Sequence, residues 1–129
     1  MLRRFAAGSL VACIAIAVAT LAVLAVFQQS TQRVSLILAA WCIVPCVWGL
    51  WAMLTPLSWV PQRLPIWGAG LGAVAGVMAL FVLNLPWRVF EASLPVAARA
   101  VGVIVAAAFY YAMWMIVETV YMRLTPRSS

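Results

Sequence analysis

The sequence predicts an all-α, polytopic integral membrane protein: four transmembrane helices in a compact bundle with short loops. Three observations point there. Of its 129 residues, 68% are hydrophobic and only 8% charged, against about 25% charge in a soluble domain. A chain of this size keeps much of its surface exposed, and ten charges cannot wet it. The charges also cut the chain into apolar stretches of about the 20 residues a helix needs to cross the hydrocarbon core. Finally, backbone groups in lipid must bond internally, and the short alternating strands of an outer-membrane barrel are not seen.

The spans are expected at about 5–27, 34–57, 65–85 and 96–121, forming a single domain over 1–129. Met1-Leu2-Arg3-Arg4 resembles the start of a signal peptide, but the apolar stretch behind it is too long for one, so an uncleaved first helix is expected. The polar run 28–33 forms the first loop. Pro45 falls inside the second span, where it removes one ladder donor and frees the carbonyl of Trp41. A kink is therefore expected near 41–45. Pro56, Pro61 and Pro65 bracket the second joint. Asn84-Leu85-Pro86 closes the third span. In 87–94, Trp87, Phe90 and Leu94 share a face and Arg88 can pair with Glu91 across one turn, which predicts a short interfacial helix. Ser93 is the expected cap of the fourth span, with Pro95 in its first turn.

Orientation follows the arginines. With four spans, Arg3, Arg4, Arg63, Arg123 and Arg127 share one side, while Arg33, Arg88 and Arg99 share the other. This places both termini in the cytoplasm of a bacterial-type inner membrane. The basic pI thus reflects topology. The arginines are scattered, so no nucleic-acid partner is expected.

Missing residue types exclude whole chemistries. The chain has no His, Asp or Lys, hence no imidazole base, His-bound zinc, Asp-based triad or Schiff-base lysine. Cys42 and Cys46 lie one turn apart inside a span, where disulfide geometry is rarely reached. Cys13 is remote, and too few ligands exist for a metal site. No enzyme activity, metal or cofactor is expected.

Two patterns concern packing. Gly68, Gly72 and Gly76 recur every four residues, and Ala98, Gly102 and Ala106 do the same in the fourth span. Such stripes let helix backbones approach closely, either within one chain or between copies.

The remaining patterns could carry function. Trp41, Trp48 and Trp59 fall within about 20° of one face of an ideal helix; Trp51 lies to one side. They read either as an aromatic wall lining a cavity or as a packing stripe. In the fourth span, Tyr110, Trp114, Glu118 and Tyr121 fall within about 80° of one face. Glu118 is the only acid in any expected span, and an intramembrane acid is a functional candidate by default. It could carry a proton or, beside aromatic rings, attract an organic cation. The plainer reading has it reaching the interface or pairing with Arg63, Arg4 or Arg123.

Four short spans with an acid and an aromatic wall resemble the small multidrug resistance exporters in size and general design. Those proteins carry their essential Glu in the first helix, where this chain has no acid, so no motif is shared. Two functional expectations follow. One is a non-catalytic packing, scaffold or accessory subunit of a homo-oligomer or larger membrane complex. The other is a small oligomeric proton-coupled transporter or channel for a hydrophobic or cationic solute, built on Glu118, Tyr110, Trp114, Tyr121 and Trp48. A lipid- or quinone-handling protein using the Trp face ranks last.

Overall fold

A computed structural model describes residues 1–26 and 31–125. The centre of the expected polar loop (28–30), the side chains of Arg33 and Phe90, and Arg127 lie outside the described residues. Every regular element among the described residues is helical. Helix α1 spans Leu2–Val26, α2 Thr31–Cys42, α3 Val44–Leu54, α4 Leu64–Val77, α5 Leu85–Phe90 and α6 Val96–Leu124. A 3-10 turn covers Leu57–Trp59, and a π-helical segment, Met78–Val82, prolongs α4.

Four helical stretches are long and apolar enough to cross a membrane: Leu2–Val26, Ile37–Leu54, Leu64–Val82 and Val96–Leu124. The fold is therefore all-α with four membrane-length helices, compatible with a four-helix bundle. Its large apolar side chains face outward in quantity. On α6, Val101, Ile104, Val105 and Phe109 are all more than half exposed. Water would penalise such a surface, whereas lipid does not.

Proline and its neighbours decide where the elements break. Pro45 occupies the first turn of α3, so the second span is divided at Ile43, between α2 and α3. Pro56 follows the end of α3 at Thr55, and Trp59 consequently sits in the 3-10 turn. The three tryptophans expected on one face of a continuous helix therefore occupy three different elements. The interfacial helix is also displaced from 87–94. Pro86 starts it at Leu85, and Glu91 ends it in the left-handed region at φ 56°. There the Glu91 N–H donates to the Trp87 carbonyl (2.9 Å) and the Ala92 N–H to the Pro86 carbonyl (3.2 Å). The first bond is the left-handed closure that usually employs glycine. Ser93 is not the cap of α6. The first carbonyl of the helix belongs to Pro95, which accepts from the Arg99 N–H (3.1 Å), because a residue preceding proline is pushed out of the helical region.

Packing divides the chain into two units. The first comprises Met1–Pro56 with the end of the chain from Thr119, and the second comprises Leu57–Glu118. In the first unit α1 lies against α3. Gly8 meets the Trp48 carbonyl, where an added Cβ would stand 2.9 Å from the oxygen, and Gly49 meets Phe5 and Ser9. The Ser9 hydroxyl donates to the Pro45 carbonyl (2.9 Å). Ala7, Val11, Ala12 and Ala52 complete the buried surface.

In the second unit α4 and its π-helical continuation run antiparallel to α6. Gly68 abuts the side chain of Trp114, Gly72 abuts Tyr110 and the Ala106 carbonyl, and Gly76 abuts Ala106 and Val103. Leu80 abuts Gly102. Each four-residue step forward on one helix is matched by a four-residue step back on the other. Of the second stripe only Ala106 meets the glycine stripe, at Gly72 and Gly76, while Gly68 and Gly72 face the aromatic side chains of Trp114 and Tyr110. Ala98 is exposed. The next step along the seam would set it opposite Asn84, which has left the helix at φ 47°.

Candidate functional site

The five side chains proposed for a transport site divide between the units. Tyr110, Trp114 and Glu118 belong to the second, whereas Trp48 and Tyr121 belong to the first. Trp114 is fully buried and fills the notch left by the missing side chain of Gly68. Its neighbour one turn earlier, Tyr110, packs through its Cβ on Gly72 and sets its ring edge-on to Phe109 at 6.1 Å. Both rings serve the helix seam. Trp48 is buried too, at 3% exposure, with its backbone against Gly8.

Glu118 is half-buried, one turn beyond Trp114 on α6. Val117, beside it in sequence, is fully buried. Of the arginines offered as its partners, Arg63 lies over the Trp59 ring at 5.7 Å, and Trp59 packs edge-on against Trp67 at 5.9 Å. A guanidinium over an indole face is held by the ring quadrupole. Arg4 is engaged elsewhere: its Nη1 donates to the Thr55 carbonyl at 2.8 Å. Arg123 is exposed in the last turn of α6.

Tyr121 lines an open pocket of about 390 Å³ with Met1, Leu2, Arg3 and Arg4. Reasoning from the sequence placed Tyr121 on the Glu118 face, read Arg3 as a topology marker and Arg4 as a topology marker and candidate partner of Glu118. The three meet because α1 begins where α6 ends within the first unit. The rest of that unit's packing was also missed. Gly8 and Ala12, and Pro45 and Gly49, are each spaced four apart, and that spacing was the available signal.

The three cysteines are free and exposed. Among the described residues, no group of three or more His, Cys, Asp or Glu could hold a metal ion. Compared with protein-family models, curated proteins and solved structures, the chain matches none.

Proposed function

We propose that this chain is a non-catalytic packing or accessory subunit of a bacterial-type inner membrane, acting in a homo-oligomer or a larger membrane complex, with both termini cytoplasmic. The supporting observation is the α4–α6 seam. It engages Trp114 and Tyr110 in tight helix contact, so these rings are structural in position. A second stripe along α4 and the start of its π-helical continuation is left for an external partner. Ile66, Gly70, Val74 and Met78 recur every four residues, all are exposed, and nothing lies within 4 Å of where a Gly70 side chain would start.

Gly70→Leu is the discriminating variant. It should leave expression and folding intact while dissociating the assembly that the wild type forms in mild detergent, read by size-exclusion chromatography with light scattering. An unchanged assembly, or a wild type that is monomeric and copurifies with nothing, removes the proposal.

A transporter remains the second reading because Glu118 is an acid within a helix otherwise suited to lipid. Substituting Glu118→Gln should abolish proton-coupled flux in proteoliposomes if that carboxyl carries the proton. Under the packing proposal, the substitution leaves the cellular phenotype and assembly unchanged.

A further inference from the structure

Arg4 is a charged side chain held almost entirely away from the surface. It is only 6% exposed, and a guanidinium offers five N–H donors. One of its nitrogens donates to the Thr55 carbonyl at 2.8 Å. Buried charge is costly unless it is compensated by an opposite charge and hydrogen bonds. Arg4 nevertheless lines an open pocket with Arg3 and Tyr121. The pocket volume, about 390 Å³, lies in the range of small-molecule sites.

These groups suit one ligand chemistry. Two guanidinium groups and a phenol present N–H and O–H donors around a positive centre, and a guanidinium fork matches a phosphate bidentately. Arg3 and Arg4 stand in the first turn of α1, Thr55 just follows α3, and Tyr121 lies in the last turn of α6. All are at helix ends, the level at which lipid phosphates lie. Met1 and Leu2, both strongly exposed, add apolar surface at the mouth, where a glycerol and its chains would rest. We propose that this pocket binds a phosphate group, held by Arg4 and Arg3 with Tyr121, as presented by an anionic phospholipid or as free phosphate. The bound anion supplies a counter-charge to the two guanidinium groups.

The test uses the full chain, delipidated in mild detergent and titrated with phosphatidylglycerol, phosphatidylcholine or inorganic phosphate, with binding read by native mass spectrometry. Phosphatidylglycerol should bind about tenfold more tightly than phosphatidylcholine, whose choline masks the phosphate charge, and Arg4→Gln or Arg3→Gln should each weaken it about fivefold. If Arg4→Gln fails to fold, the exposed Arg3→Gln decides together with Tyr121→Phe. Inorganic phosphate binding with the same sensitivity to Arg3→Gln identifies the free anion as a sufficient ligand. Phosphatidylglycerol binding without phosphate binding identifies the lipid. Equal affinity for the two lipids overturns the proposal, as does phosphatidylglycerol binding that neither Arg3→Gln nor Tyr121→Phe weakens.

Discussion

Gly68 and Gly70 lie two residues apart on α4 and face different surroundings. A methyl group at Gly68 would run into the Trp114 side chain, whereas one at Gly70 would meet nothing within 4 Å. Gly68→Ala should therefore lower stability by about 1–3 kcal/mol through overpacking. Gly70→Ala should raise helix stability by about 0.5–1 kcal/mol. Unfolding of the two variants in mixed micelles checks both signs. The contrast also shows what spacing can reveal. The four-residue recurrence of Gly68, Gly72 and Gly76 identified one helix face. It could not reveal that this face meets Trp114 and Tyr110, because periodicity says which side chains lie together and nothing about the surface opposite. The same two rings read from the sequence as a cavity wall. Glu118 was legible as the one acid within a span, whereas its half-buried position was not.

At the scale of elements, the four membrane-length helices were legible because charge and proline interrupt an otherwise uninterrupted apolar sequence. The boundaries that moved are those where backbone chemistry acts over one or two residues. The irregularity expected near 41–45 falls at Ile43, where α2 ends and Pro45 enters the first turn of α3. Pro95 keeps Leu94 out of α6 and so moves its start, whereas Pro86 sits inside the first turn of α5. Just beyond the break at Ile43, the Ser9 hydroxyl of α1 donates to the Pro45 carbonyl. Ser9→Ala removes that bond but keeps the close contact between α1 and α3. It should cost about 0.5–1.5 kcal/mol, measured by thermal unfolding in detergent, with helix content unchanged by circular dichroism.

For the molecule as a whole, length sets the relation to the bilayer. The 18 residues of Ile37–Leu54 reach about 27 Å at 1.5 Å per residue, close to the hydrocarbon thickness of about 30 Å. The 29 residues of α6 reach about 43 Å by the same rise and must tilt or extend into the headgroup layer. Four crossings return the chain to the side on which it began. Reporter fusions at the two ends should accordingly report the same, cytoplasmic, compartment; opposite compartments would mean that one of the four helices does not cross. The α4–α6 seam has a further consequence for how this protein can change over generations. Its contacts repeat with a shared step of four residues, so each position can be exchanged for another small or fitting side chain on its own terms. A single residue inserted or deleted between Gly102 and Trp114 is different, because it turns everything beyond it by about 100° around the helix axis. Gly68 and Trp114 could then no longer meet while Gly102 stayed in place. This stretch of α6 can drift in composition, but its length is fixed.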